Sequence, residues 1–223
     1  MRLGAVLLLA FVAHGAAPRV LDRTCDVASR RSSRGGVACA ACAETAIPAC
    51  TSGRTNYMLY SQALANAAWV KENSGGAIVS PTTTDNYALA PDCTMTATRI
   101  QIPATSGVEY SDLFQQNVAW TGVSTSHCLY VKGTLTDGTA DFAHFNGGAW
   151  VNMALPFVSS GWTLVKSENN NVTGGYLKIG NNSVQNGGVA RAANDILVWG
   201  VQATIGATCA GYIPTTSTAA ACP

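Results

Sequence analysis

The acidic residues that could act together in catalysis are few and lie far apart in the sequence. Glycoside hydrolysis usually requires two carboxyl groups that face one cleft. Glu109 and Asp112 are close in sequence, but an odd spacing on one strand places them on opposite faces of a sheet. Asp112 with Asp141, on different segments, stays open. The carboxylates alone therefore do not predict a glycosidase.

The imidazoles and nucleophiles also lack the arrangements that catalysis needs. His127 and His144 belong to no HxH or HExxH pattern, so two imidazoles on one metal are not indicated. Cys128 adjoins His127, but neighbouring strand residues face opposite sides. Ser124 lies in a Gly-x-Ser segment that lacks the last glycine of a nucleophile elbow. We therefore predict no catalytic residues, and a protein that is not an enzyme.

Aromatic and amide side chains favour binding. Sugar rings present flat C–H faces that stack on aromatic rings, while their hydroxyls hydrogen-bond to amides and carboxylates. Trp162 and Trp199 lie in apolar contexts and are predicted to be core residues. The candidate ligand-binding residues border polar segments and are Tyr110, Asp112, Gln116, Trp120, His144 and Trp150. Ordinary packing is the alternative role for each aromatic residue among them.

These residues must be held by a fold, and the composition limits which one. The chain has 223 residues, of which 48% are hydrophobic and 11% are charged, with a net charge of +1. The high hydrophobic content disfavours disorder, and the length fits one domain of ordinary size. A net charge this small provides no field to hold a polyanion, so nucleic acid is not predicted as a partner.

The first residues have the pattern of a secretory signal peptide. A basic start is followed by an apolar run over residues 5–13 and then by small residues. We predict a signal peptide over residues 1–17, no membrane span, and a secreted, extracellular or cell-surface protein. A short N-terminal core helix or a misassigned start codon is the alternative. Residues 18–54 show little periodic apolar pattern, which predicts an irregular cysteine-rich linker.

From residue 55 onward, short runs rich in β-branched and aromatic residues alternate with Gly, Asn, Ser and Pro clusters. This pattern predicts an all-β domain. The predicted strands are residues 57–61, 69–73, 77–79, 93–102, 110–118, 126–133, 140–145, 150–155, 163–169, 175–179 and 195–204. So many half-buried strands suit two antiparallel sheets packed as a β-sandwich.

Three segments support a family resemblance. Two of them resemble the opening and closing strands of a jelly-roll, carbohydrate-binding-module-like domain. The opening segment is Asn56-Tyr-Met-Leu-Tyr-Ser-Gln-Ala-Leu-Ala-Asn-Ala-Ala-Trp69. The closing segment is Ile196-Leu-Val-Trp-Gly-Val-Gln-Ala203, followed by Tyr212-Ile-Pro-Thr215. Such domains are common in phage tail and virion proteins and in secreted bacterial proteins. Ala90-Pro-Asp-Cys93 looks like the family's Ala-Pro-Asp-Gly segment, with Cys93 in place of a turn glycine. The resemblance covers residues 55 to about 216 and implies a jelly-roll domain over residues 55–223.

The resemblance implies a secreted, non-catalytic module that binds a polysaccharide or cell-surface glycan. The alternative is a structural or adhesive subunit of a phage virion or extracellular appendage, which self-assembles or attaches to a larger complex. A jelly-roll lyase or hydrolase is a third class.

Related modules often hold a structural calcium between acidic residues near the first and last strands. Asp195 matches the second position, but Ala63 offers no side-chain oxygen at the first. We therefore predict no cofactor, with calcium at Asp195 as the alternative.

The eight cysteines are even in number, and an exported chain meets an oxidising compartment. Four disulfides are therefore predicted among Cys25, Cys39, Cys42, Cys50, Cys93, Cys128, Cys209 and Cys222. A structural zinc is the alternative for the Cys39-Ala-Ala-Cys42 segment, although strong zinc patterns have two closely spaced pairs. We predict a Cys93–Cys128 bridge. We also predict a Cys50–Cys209 bridge, because the segments before the first strand and after the last can lie side by side in a jelly roll.

Overall fold

The computed structural model of the chain describes residues 47–116, 123–134, 141–145, 150–152, 160–172, 176–183, 188–209 and 211–222. Only the backbone is described for residues 116, 134, 141–145, 150–152, 169–172 and 176. The predicted signal peptide and most of the linker, with Cys25, Cys39 and Cys42, lie outside these ranges. Within them the regular structure is entirely β, as the sequence predicts.

Twelve strands occur in the described ranges. In chain order they are β1 (Thr55–Asn56), β2 (Val70–Asn73), β3 (Thr82–Ala88), β4 (Ala97–Ile102), β5 (Tyr110–Gln116), β6 (Val123–Thr134), β7 (Asp141–Phe145), β8 (Trp150–Asn152), β9 (Thr163–Val172), β10 (Tyr176–Asn182), β11 (Asn194–Ile205) and β12 (Ala220–Ala221). The first sheet has the order β2-β5-β10-β7-β8, and the second has the order β3-β4-β11-β6-β9. All pairings are antiparallel, and β1 pairs separately with β12.

The two sheets pack over one apolar core because alternate residues of each strand turn inward. Leu113, Leu177 and Ile179 of the first sheet are fully buried. They belong to one cluster with Ile100 and Val131 of the second sheet. This alternation confirms the predicted sandwich, and it leaves the intervening residues of β5 and β10 on the outer face of the first sheet.

A second cluster covers part of the outer face of the second sheet. Trp199 of β11 is buried beneath Tyr212, with 4.3 Å between the ring centroids, and beside Tyr130 at 5.5 Å. Trp162 packs against the same cluster. Trp199 and Trp162 are therefore packing residues, as predicted, and the C-terminal segment covers this part of the sheet.

The two end segments that carry the family resemblance meet at one buried asparagine. The Asn56 side-chain Nδ2 donates to the carbonyls of Val201 (3.2 Å) and Ile213 (2.8 Å). Its Oδ1 accepts from the backbone N–H groups of Met58 (3.0 Å) and Ala203 (3.1 Å). A primary amide has two donors and two acceptor sites, and all are used here. Asn56 thus ties the start of the domain to β11 and to the C-terminal segment.

Two predicted strands are wrong. Residues 57–61 form no strand, because Tyr60 has a φ of 49°, which interrupts extended backbone. The segment still runs beside β11, where the Val201 N–H donates to the Ser61 carbonyl at 3.1 Å. Residues 77–79 are also irregular, and the strand of that region is β3, which lies at a sheet edge. The threonines and Asp85 of β3 show no apolar alternation, so the sequence pattern did not predict this strand.

The disulfides differ from both predicted pairs. The bridges join Cys50 to Cys222 and Cys128 to Cys209. Pairing of β1 with β12 brings Cys222 to Cys50, and the chain after β11 turns back over the neighbouring strand β6, which carries Cys128. In the described part of the chain Cys93 is a free thiol, so its predicted pairing is wrong. The two bridges are consistent with an oxidising, extracellular environment.

Cys93 holds a backbone conformation that favours glycine. Its φ is 66°, and its N–H closes a turn by donating to the Ala90 carbonyl at 3.0 Å. Left-handed backbone costs roughly 1–2 kcal/mol for a residue with a Cβ. Cys93→Gly is therefore expected to raise the free energy of unfolding by about 0.5–1 kcal/mol, after allowance for the more flexible unfolded chain. Urea denaturation measures the gain. Cys93→Ala retains the Cβ, so an equal gain in that variant would contradict the backbone explanation.

Candidate functional site

The outer face of the first sheet brings aromatic and charged side chains together. Because Leu113 of β5 points to the core, Asp112 and Phe114 point to the opposite face, together with Tyr110. Tyr110 and Phe114 are half-buried. Lys178 of β10 is in register with Phe114, and Glu72 of β2 is in register with Asp112. We call this set, Glu72, Tyr110, Asp112, Phe114 and Lys178, the Lys178 face.

Lys178 organises the charges of this face. Its Nζ donates to Glu72 Oε1 at 2.9 Å and to Asp112 Oδ2 at 3.0 Å. The same nitrogen lies 5.5 Å from the centroid of the Tyr110 ring and 5.8 Å from that of Phe114, within cation–π range. Glu72 and Asp112 would repel each other as directly paired like charges, and the ammonium relieves that repulsion.

The electrostatics of Lys178 follow from two opposed effects. Burial disfavours its charged form, but the negative charge of Asp112 and the hydrogen bonds to Glu72 and Asp112 outweigh burial, so the pKa of Lys178 is raised above its ordinary value. The ammonium is consequently charged at neutral pH. Lys178 therefore acts as a cation between two carboxylates at neutral pH.

Gly180 makes room for the Asp112 carboxylate. Position 180 pairs directly with Asp112 across the sheet. A Cβ at this position would lie 2.3 Å from Asp112 Oδ1 and 2.4 Å from the Ser111 carbonyl oxygen. Any side chain here would have to move the carboxylate or separate the strands. The absence of a side chain at position 180 thus allows Asp112 to be buried to 1% exposure.

Of the predicted ligand-binding residues, Tyr110 and Asp112 lie on the Lys178 face. The others are described by backbone alone or lie outside the described residues: Gln116, His144 and Trp150 in the first group, Trp120 in the second. Positions 116 and 150 are in phase with Lys178 in the strand register. Position 144 pairs directly with Leu177, a core residue, and is therefore out of phase with the Lys178 face.

Two carboxylates converge on this face, which the sequence spacing did not predict. Glu72 and Asp112 bind the same nitrogen, so they lie no more than about 6 Å apart, close to the separation of roughly 5–5.5 Å in retaining glycosidases. The space between them is filled by the Lys178 ammonium, however. Glu109 lies just before β5 and accepts a hydrogen bond from the Ser106 N–H at 2.8 Å. The arrangement is that of an ion-pair network.

Glu72 and Lys178 were missed by the sequence reasoning. They are 106 residues apart, and only the strand register shows that they meet. One signal was available, since Lys178 is flanked by the core residues Leu177 and Ile179. A lysine at an alternate position of an apolar strand is rarely buried without a partner, and a carboxylate partner could have been inferred.

Asp195 was predicted as the alternative calcium ligand, and its surroundings do not fit that metal. Both carboxylate oxygens are bound by the Arg99 guanidinium, with Nε donating to Oδ1 at 2.8 Å. Hydrogen bonding from Arg99 holds the pKa of Asp195 below its ordinary value. The counter-ion is thus a side chain of the protein. No group of three His, Cys, Asp or Glu residues suited to a metal occurs in the described ranges.

A groove of about 730 Å³ lies elsewhere, between residues 79–82, the end of β4 and the start of β11. Its polar walls include Gln101 and Asp195, which are hydrogen-bonded to their neighbours. No aromatic side chain lines it among the described residues, so it offers no ring for stacking.

In the part of the chain that the structure describes, no helix has the length and apolar character required to cross a bilayer.

No protein-family model matches the sequence, and no curated protein matches it. Among solved structures, the chain is similar to the enzymatically active domain of tailspike protein 4 of bacteriophage CBA120, with a TM-score of 0.43 and 15% identity over 66% of this chain and 21% of that chain. It is also similar to the CBM22-1-GH10 modules of the Clostridium thermocellum N-terminal endo-1,4-β-D-xylanase 10B complexed with xylohexaose, with a TM-score of 0.41 and 15% identity over 70% of this chain and 28% of that chain. The chain spans less than a third of either structure.

Proposed function

We propose that this domain is an exported, non-catalytic module that binds polysaccharide on the Lys178 face. The observation that carries the proposal is the pair of half-buried rings, Tyr110 and Phe114, on one strand and one face beside hydrogen-bonding groups. Four residues of strand separate the two rings by roughly 13 Å. An extended ligand can therefore contact both rings.

The physical basis is the amphipathic nature of sugars. The apolar C–H faces of a saccharide pack on aromatic rings, and its hydroxyls donate to carboxylates. Glu72 supplies such an acceptor, because its side chain is 32% exposed. Each contact replaces a hydrogen bond to water, so the net gain per contact is small. We expect affinities in the micromolar to millimolar range.

The test removes the rings while retaining apolar volume. Tyr110→Leu and Phe114→Leu are each expected to weaken polysaccharide binding about tenfold, because the flat stacking surface is lost. Affinity electrophoresis through gels containing xylan, β-glucan or mannan, followed by calorimetry with the best ligand, measures the change.

A matched control comes from the other sheet. Tyr87 is 49% exposed and lies beneath a cation, since Arg99 is 4.9 Å from its ring centroid. Tyr87→Leu should leave polysaccharide binding unchanged. Urea unfolding curves confirm that all three variants are folded. Parent-like affinity in folded Tyr110→Leu and Phe114→Leu would locate the site elsewhere, and a glycan array without any binding at millimolar concentration would remove the proposed function.

A structural or adhesive subunit is the second candidate. Val79, Val108 and Val189 are exposed by 63%, 79% and 59%, and such side chains are available for contacts between subunits. Light scattering at high protein concentration distinguishes this candidate, because an assembling subunit should exceed the mass of the monomer. A monomer without partners would argue against it.

A further inference from the structure

The Lys178 face carries an excess of negative charge although it contains a lysine. Glu72 and Asp112 contribute two carboxylates against one ammonium, which leaves one net negative charge among the described groups. Position 141, an aspartate, is paired with Gly180 in the same row of the sheet as Asp112. The sequence therefore adds an acidic residue, and no basic residue, to this row.

The one cation of the face is already engaged. Lys178 donates to both carboxylates, and its side chain is only 12% exposed. Two of its three N–H groups are thus engaged by protein carboxylates, and the slight exposure of the side chain limits its access to a carboxylate or sulfate group of a ligand. Lys71 is exposed, but it is in register with Leu113 and so belongs to the other side of β2. Among the described side chains, a ligand anion would therefore find no readily accessible cation on this face.

Glu72 presents the accessible part of this charge. Its Oε1 accepts from Lys178, and within the described residues no hydrogen bond is made to its Oε2. A hydroxyl donor of a sugar can satisfy this oxygen with a charge-assisted hydrogen bond. A ligand carboxylate or sulfate would instead meet a like charge, which costs binding energy when the two groups lose water.

Building on the proposed function, we infer that Glu72 is a specificity-determining residue, which occupies Lys178 and presents its own negative charge so that the face takes uncharged polysaccharides and excludes acidic ones. Removal of the Glu72 charge has two effects in the same direction. The repulsion disappears, and the charge-assisted hydrogen bond from Lys178 to position 72 becomes a weaker bond to a neutral oxygen, which an anion displaces more easily.

The experiment compares neutral and acidic probes. Calorimetry is performed with hydroxyethyl cellulose and arabinoxylan as neutral probes and with polygalacturonate and alginate as acidic ones, at about 0.15 M salt. The parent should bind a neutral probe at least about tenfold more tightly than either acidic probe. Glu72→Gln should reduce this preference about tenfold, through weaker neutral binding and stronger acidic binding.

Glu168→Gln is the matched control. Glu168 is also paired with a lysine, Lys166, and its side chain is 28% exposed, but it lies in the second sheet. The same change of charge at that position should leave the preference unaltered. A second measurement needs no variant: raising the salt concentration should strengthen residual binding of acidic probes to the parent, because salt screens repulsion.

The outcomes separate the two proposals. Acidic probes that bind as tightly as neutral ones, or a folded Glu72→Gln protein with the parental preference, would overturn the role of Glu72 and leave the binding function intact. If none of the four probes binds to the parent, the proposed function itself fails. A loss of preference in Glu168→Gln equal to that in Glu72→Gln would also overturn the inference, because it would reflect net charge alone.

Discussion

Asn56→Ala is expected to leave the domain barely folded. Asn56 is fully buried, and its amide satisfies four backbone groups that belong to three separate segments. Each buried polar group left without a partner costs about 1–3 kcal/mol. The expected loss is therefore at least about 4 kcal/mol, a large share of the roughly 5–15 kcal/mol that stabilises a typical domain.

Urea unfolding of Asn56→Ala beside Asn66→Ala checks this expectation. Asn66 is half-buried and its Oδ1 accepts one local hydrogen bond, from the Ala68 N–H at 2.9 Å. Its removal should cost only about 0.5–1.5 kcal/mol. Equal losses at the two positions, or a loss below about 2 kcal/mol at Asn56, would show that water replaces the buried amide without penalty.

Lys178→Met should destabilise the domain by about 3–5 kcal/mol, the usual cost of removing one partner of a buried ion pair. Without the ammonium, the carboxylate of Asp112 is left at 1% exposure directly opposite Glu72. Lys166→Met provides the comparison. Its pair with Glu168 has side chains that are 52% and 28% exposed, and exposed pairs contribute about 0–1 kcal/mol.

Two further measurements test the electrostatic origin of this loss. Lys178→Met combined with Asp112→Asn should recover much of the stability, because no uncompensated buried charge remains. In the parent, the pKa of Lys178 is raised on folding. Its contribution is thus present below the unfolded pKa of about 10.4 and is lost as the pH rises through the higher folded value. A double variant no more stable than Lys178→Met would contradict the ion-pair explanation.

The strands that could be predicted are those whose two faces differ. β4 alternates between the buried Ile100 and Ile102 and the more exposed Arg99 and Gln101, β11 contains a long apolar run, and the positions of both strands follow from these patterns. The edge strand β3 could not be found this way, because an edge strand with few buried residues has no apolar face to show in the sequence. Residues 57–61 were wrongly predicted for the opposite reason: they are mostly apolar and partly or fully buried, but they pack without strand geometry.

The candidate site was predictable only in part. Tyr110 and Asp112 share a face because they are two residues apart on one strand, which the sequence shows directly. Glu72 and Lys178 join them through cross-strand register, which depends on the pairing of distant segments. The predicted disulfide pairs were wrong for the same reason. Cys222 reaches Cys50 because β12 pairs with β1, and nothing local to either cysteine indicates that pairing.

The bridge between Cys50 and Cys222 also determines how the domain responds to mechanical tension. It spans 172 residues and is located where β1 and β12 pair. A force that pulls on the chain outside these two cysteines would pass across the sulfur–sulfur bond, and the sheets between them would carry no load. A protein attached to a surface or a filament through these flanks could thus be stretched by flow while the Lys178 face keeps its shape.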